Sequence, residues 1–514
     1  MSEYQTTSAS TACAAGEYRR WSGVTLAGNV LVSRRPLAAT RLNDAAIALV
    51  ATLDEDDFHS PETVARETNS DPEAVAALFE RLHRRRFLEW RPARDPTHRP
   101  PVSVVVTVRN DREHLRKCLD ALADLSYPTY EVVVVDDGST DGTTDLVSDH
   151  RLADDGRVRY VPVGSADDPC GIGASRNRGV EAAAYDVVAF TDADCRPRSD
   201  WLSGLVPCLA THDLVGGRVR PAGDSAASAY EAVNSSLDMG AHAARVDPGG
   251  ATPYLPTANL VGTREVFETA GFPDRNVAED VEVCWNALDA GFDVVYTPTG
   301  VVEHSYRSGL PFVRRRATYG ASEALLARSH GRTETDSVGV SAVGSVSGVL
   351  AFLGRSGAGT LSIAALGIVA LLLCLWAGIH GRRLRRRWRQ LGTVTSGDVI
   401  RSWLRERLSS AYALSREVLR YYTAPLVLVG FAAWLAGAGL LAGVVLAGLV
   451  VTTVLPLVVE YRVHDSETGF PGYAAYYLAD HFGYQYGVYR GALAHRTLAH
   501  LRPDSRFEFV GLWT

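Results

Sequence analysis

Four short runs dominated by apolar residues punctuate the middle of the chain: Val102 to Val108, Glu131 to Val135, Val158 to Val163 and Val187 to Phe190. Each reads as a strand, and Val187 to Phe190 has the length and β-branched content of a buried one. Leu115, Leu119 and Leu122 mark a helix after the first run, and Gly173 to Ala184 predicts another before the fourth. Strand, helix, strand in that order implies right-handed parallel units and an α/β fold. Upstream the pattern is shorter and capped. Asn43 precedes an apolar helix to about Leu53, and Ser60-Pro61 and Asp71-Pro72 each place a capping residue before a proline at the first helical position. Val75, Leu78, Phe79 and Leu82 then form a one-sided stripe, and Phe87 to Trp90 reads as a closing strand. With short strands from Gly23 to Thr40, this makes a small winged-helix-like module over residues 20–92. Four prolines between Arg91 and Pro101 mark residues 93–101 as a linker.

Downstream the pattern becomes continuously apolar. Ser356 to Gly381 carries no formal charge and exceeds the ~20 residues that span a bilayer core. Tyr421 to Val459 is nearly twice that requirement, with Gly437-Ala438-Gly439 near its middle, and predicts a two-helix hairpin. The expected spans are 337–354, 357–380, 423–439 and 441–459, flanking a basic loop over 382–420. Arg382 to Arg389 places that loop in the cytoplasm by the positive-inside rule. Val399 to Leu419 reads as an interfacial amphipathic helix or a soluble connector. Residues 461–514 form an aromatic, polar tail.

Charge and cysteine content narrow the picture. The 514 residues carry a net charge of −7, with basic residues in local clusters, which disfavours nucleic acid as a partner. Seven scattered cysteines include no Cys-x-x-Cys pair, so a reducing compartment is expected. The first twenty residues lack an apolar run, and no signal peptide is read there.

The candidate chemistry gathers at the strand ends. The second strand runs into Asp136-Asp137-Gly138-Ser139-Thr140-Asp141-Gly142, where Ser139 or Thr140 is expected to cap the next helix. The fourth ends in Asp192-Ala193-Asp194. In an open α/β sheet these carboxylates, together with Arg176 and Asn177 at a helix start, would face the crevice beyond the strand C-termini, where hard cations find oxygen ligands. No Gly-x-Gly-x-x-Gly follows the first strand, which disfavours a dinucleotide site.

Val102 to Thr140, Gly173 to Gly179 and Asp186 to Asp194 resemble the nucleotide-binding half of family 2 glycosyltransferases. The resemblance implies a GT-A, Rossmann-like nucleotide-diphospho-sugar transferase domain over residues 102–330. It implies that Asp194, with Asp192 and His304, holds Mg²⁺ or Mn²⁺ on the donor diphosphate. Asp136 or Asp137 and Asn110 would contact the nucleoside, and Arg176 would pair with a phosphate or orient Asp192. Asn259, within Pro256 to Leu260, would line the donor sugar. Asp280 would be the base, with Glu279 or Glu282 as alternatives, its pKa lowered by the helix N-terminus. There is no Gln-x-x-Arg-Trp motif, and Arg314-Arg315-Arg316 occupies that region, which weakens a processive polysaccharide reading.

The N-terminal module resembles PqqD-like precursor-peptide-binding domains, which add a peptide as a strand. Phe482 to Gly491 and Tyr319-Gly320-Ala321-Ser322 resemble the glycosyltransferases of the mycofactocin system. The resemblance implies a multi-pass cell-membrane enzyme with a cytoplasmic catalytic domain, in contact with membrane lipid. It would move glucose from UDP-glucose onto a peptide-derived redox cofactor precursor, with inversion. A transferase acting on polyprenyl phosphate or a cell-surface glycan is the second reading, and a non-catalytic membrane adaptor that binds a precursor peptide is the third.

Overall fold

A computed structural model describes residues 16–35, 37–274, 277–330, 395–463 and 468–501, with 382 and 386 as isolated positions. The chain divides into two compact units. One holds the chain up to Arg20 and Ala48–Phe312, the other Trp21–Ile47 and the chain from Val313 onward. The expected module over 20–92 is therefore split between them.

The N-terminal elements are β1 (Gly16–Arg20), β2 (Val24–Ala27), β3 (Val30–Arg34), β4 (Leu37–Arg41), α1 (Asp44–Ala51), α2 (Pro61–Thr68), α3 (Pro72–Arg84) and β5 (Leu88–Pro92). Their caps form as the sequence predicts. Ser60 accepts from the Thr63 amide, Asp71 from Ala74, and Asn43 from Ala46. Val75, Leu78, Phe79 and Leu82 are buried on α3.

The catalytic part follows as β6 (Val102–Val108), α4 (Arg112–Ala123), β7 (Tyr130–Asp137), α5 (Thr143–Ser148), α6 (Arg151–Asp154), β8 (Val158–Val163), α7 (Ile172–Ala182), β9 (Val187–Asp192), β10 (Cys195–Pro197) and α8 (Trp201–Leu205). It continues with β11 (Leu214–Gly216), β12 (Val219–Pro221), α9 (Ala226–Asn234), β13 (Ala244–Arg245), β14 (Leu260–Thr263), α10 (Arg264–Ala270), α11 (Glu279–Asp289), β15 (Val294–Tyr296) and β16 (Val302–His304). An eight-stranded mixed sheet runs in the order β13-β15-β11-β14-β9-β6-β7-β8. Its β9-β6-β7-β8 portion is parallel, so β7 and β9 deliver Asp136, Asp137 and Asp192 to one rim. Valine at 102, 104, 105, 106 and 108 puts apolar side chains on both faces of β6, as a strand covered on both sides requires. A small sheet, β10-β16-β12, stands beside that rim.

Residues 93–101 are not a free tether. The Asp95 amide donates to Pro207 O at 3.0 Å, and Arg94 donates to Ser203 O. Arg245 on β13 donates to Glu80 at 2.9 Å and lies 4.6 Å over the Trp90 ring, clamping α3 and β5 to the end of the large sheet.

In the second unit, β2, β3 and β4 form an antiparallel sheet, and Leu37 packs with Val399. Its main body is helical: α12 (Leu310–His330), then Ser396–Glu417 running through Val418–Tyr422 into Thr423–Leu435, then Gly439–Val463 and Phe470–His495. The long apolar run thus breaks at Gly437, whose φ of 76° suits glycine. Ser396–Leu435 and Gly439–Val463 are long and apolar enough to cross a membrane by length and composition. Leu428, Trp434, Leu440 and Leu446 on them are exposed. The expected spans 337–354 and 357–380, and most of the Arg382–Arg389 cluster, lie outside the described residues.

Small residues join α12 to Phe470–His495. A Cβ on Gly320 would sit 2.1 Å from Tyr484 O, and one on Gly487 2.0 Å from Ala317 O. Only hydrogen at these positions lets the two backbones meet.

Candidate active site

The rim is organised by one buried cation. Arg176, on the first turns of α7 and 2% exposed, donates through Nη2 to Asp192 Oδ1 at 2.9 Å and through Nη1 to Glu279 Oε1 at 2.7 Å. It therefore ties the end of β9 to the start of α11. Asn177, beside it, does not line the site. Its side chain exchanges two hydrogen bonds with the backbone of Phe272 and fixes the segment leading toward α11.

Asp280 follows Glu279 and is buried, with Oδ1 accepting from the Val281 amide at 2.9 Å. Its pKa is raised to about 7, opposite to the direction expected from a helix N-terminus. Burial removes water from the carboxylate, and the Glu279 charge adds to the effect; together they outweigh the Arg176 guanidinium and the Val281 N–H. Ala278, the residue before α11, holds a left-handed φ of 58°. No local sequence signal marks that conformation in alanine.

Across the rim, Asp194 lies in the turn between β9 and β10. Its carbonyl accepts from the Ser305 amide, and its Oδ1 is 3.5 Å from His304 Nε2. Asp194, Cys195 and His304 each bring a donor atom within 4.8 Å of the other two. This set fits a divalent ion: three ligand types converge on one point, with His304 fully buried. Of the three residues expected to hold the ion, Asp194 and His304 come together, while Asp192 is held by Arg176. Cys195 went unnoticed in the sequence, where only its place beside Asp194 could have flagged it.

The nucleoside candidates are occupied by the fold. Asp137 accepts from the amides of Cys170 and Gly171 at 2.7 and 3.0 Å. Asp136 accepts from the Ser139 amide and the Tyr160 hydroxyl. Asn110, at φ 51°, accepts from the Thr140 amide, and its own amide donates to Ser139 Oγ. Ser139 and Thr140 thus lock the β6 and β7 loops together instead of capping α5, whose N-cap is Gly142 at φ 83°. Asn259 departs furthest from expectation. It is fully buried, accepting from Trp201 Nε1 at 2.7 Å and donating to the carbonyls of Arg218 and Gly300 at 2.9 and 2.8 Å. These bonds use its donors within the protein, leaving it a brace behind the site. Asn259→Ala is expected to lower stability by about 1–3 kcal/mol, read by thermal melting, with donor KM unchanged. A large KM rise with unaltered melting would restore the sugar-contact role.

A parallel core with acids on its C-terminal rim and a mixed extension defines a GT-A domain, and the Glycosyl transferase family 2 model matches residues 103–269. The pre-mycofactocin glycosyltransferase of Mycobacterium tuberculosis is 31% identical over 432 residues, covering 81% of this chain and 84% of that protein. Glycosyltransferase AglE of Haloferax volcanii is 33% identical, over 38% of this chain and 64% of that protein. A solved mannosyltransferase, PcManGT from Pyrobaculum calidifontis in complex with GDP-Man and Mn²⁺, aligns at TM-score 0.37 and 23% identity, covering 61% of this chain and 88% of that one. The chain belongs to the mycofactocin-system family 2 glycosyltransferases and is a sugar-transferring enzyme.

Proposed function

We propose that this enzyme transfers glucose from UDP-glucose, with inversion, to a mycofactocin-type peptide-derived redox cofactor precursor. The observation that carries the reading is the line of groups from Asp194 and His304, past Asp192 and Arg176, to the buried Asp280. Inversion needs one carboxylate that removes the acceptor hydroxyl's proton as the sugar carbon is attacked. A pKa near 7 makes Asp280 basic enough to take that proton and still substantially ionised at neutral pH. Arg176 keeps Asp192 and the α11 N-terminus at a fixed separation, so acceptor and donor meet in one geometry. Asp194 and His304 would hold Mg²⁺ or Mn²⁺, which when bound offsets charge on the departing diphosphate. Asp136, Asp137 and Asn110 shape the nucleoside end through the loops they fasten.

The acceptor assignment rests on the mycobacterial relative's name and on the N-terminal module, which in this reading docks the precursor peptide. The exposed apolar helices support a membrane enzyme, and this reading makes it multi-pass with a cytoplasmic catalytic domain because nucleotide sugars are made there. They also favour a second reading, in which polyprenyl phosphate is the acceptor. Incubating the full chain with labelled UDP-glucose, divalent ion and either acceptor separates the two. Transfer to the peptide-derived precursor is expected; label found only on polyprenyl phosphate would overturn the first reading.

A further inference from the structure

We propose that Cys195 is a third ligand of the active-site cation and that its sulfur makes the site prefer a thiophilic divalent ion, such as Zn²⁺ or Cd²⁺, over Mg²⁺. This rests on the reading of Asp194 and His304 as a cation site and deepens it.

The strand register is the starting point. β10 and β16 pair antiparallel with Cys195 directly opposite His304, so the two side chains project from the same face of the small sheet. Both are fully buried. Asp194, one residue earlier in the tight turn, leans over that face: its Oδ1 lies 3.9 Å from Cys195 Sγ and 3.5 Å from His304 Nε2. An oxygen, a sulfur and a nitrogen thus converge within 4.8 Å.

Such a mixed donor set has a chemical preference. Sulfur and imidazole suit zinc and softer ions, whereas magnesium takes oxygen ligands in a near-ideal octahedron and retains waters. An Asp–His pair alone offers no sulfur bond to distinguish the two classes. Cys118, buried on α4, is outside the three-donor set and serves as a control thiol.

The test uses the purified full chain and follows cation-induced thermal shifts and the ultraviolet sulfur-to-cadmium charge-transfer band. The chain is expected to bind Cd²⁺ at least tenfold more tightly than Mg²⁺. Cys195→Ser should shrink that ratio tenfold or more and remove band intensity, with Mg²⁺ affinity held within about twofold, while Cys118→Ser keeps both. An unchanged ratio and band in Cys195→Ser would overturn the sulfur ligand. If that variant does not fold, X-ray absorption on the chain carrying one equivalent of Zn²⁺ decides: a zinc–sulfur shell near ~2.3 Å supports the ligand, and its absence removes it. Asp194→Asn separates the two levels. Cation binding unchanged in that variant defeats the whole metal reading, whereas binding lost there but unaltered in Cys195→Ser defeats the sulfur ligand alone.

Discussion

Asp280→Asn is expected to lower kcat by about 10²–10⁴-fold or more, the usual contribution of a positioned general base. The asparagine keeps the shape of the side chain and can still accept from the Val281 amide, so folding and donor KM should hold while proton removal is lost. Rate measurement at saturating donor, alongside a melting curve, checks this; wild-type turnover would end the assignment. The pH profile carries the same information. As the proposed base Asp280 would act only when ionised, so with its pKa near 7, kcat/KM in the wild-type enzyme is expected to rise with pH through about 7. Glu279→Gln removes a negative charge that favours the protonated acid, so the rise should move to lower pH. A limb that stays in place would show that another group controls it.

Arg176→Met is expected to destabilise the catalytic domain by about 3–5 kcal/mol, because deleting one member of a buried ionic group leaves the others uncompensated. Here both Asp192 and Glu279 would lose their guanidinium, beside a third acid at Asp280. Denaturant unfolding of the variant measures it. Arg176→Lys should recover only part of the loss, since a single ammonium cannot present two planar N–H donors to carboxylates on different elements. A methionine variant as stable as wild type would contradict the bridging role.

Much of this architecture was visible in residue order. Val102–Val108 matches its strand from end to end, and the Ser60-Pro61 and Asp71-Pro72 starts form the caps their chemistry predicts. These are local effects, decided by neighbours within a few residues. What was not legible depended on distance. Asn259 is a brace because Trp201, 58 positions away, and Gly300, 41 positions away, come to meet it. The pKa of Asp280 was misjudged because the helix-end effect is readable from sequence, while burial and its larger contribution are not. Cys195 acquires its setting only once β10 lies against β16. The linker, legible as proline-rich, gave no hint that its backbone is tied to Pro207.

The seam of small residues between α12 and the helix Phe470–His495 constrains the order of assembly. The Tyr484 hydroxyl reaches Glu323 across 161 positions, and the membrane-type helices are made in between. During synthesis α12 precedes its partner, so its glycine-lined face stays uncovered until Phe470–His495 is complete. So long a wait between partners carries a loop-closure penalty and slows the final step. A chain halted before Phe470 would keep the Tyr421–Glu323 contact of α12 but leave its glycine-lined face without the helix that covers it.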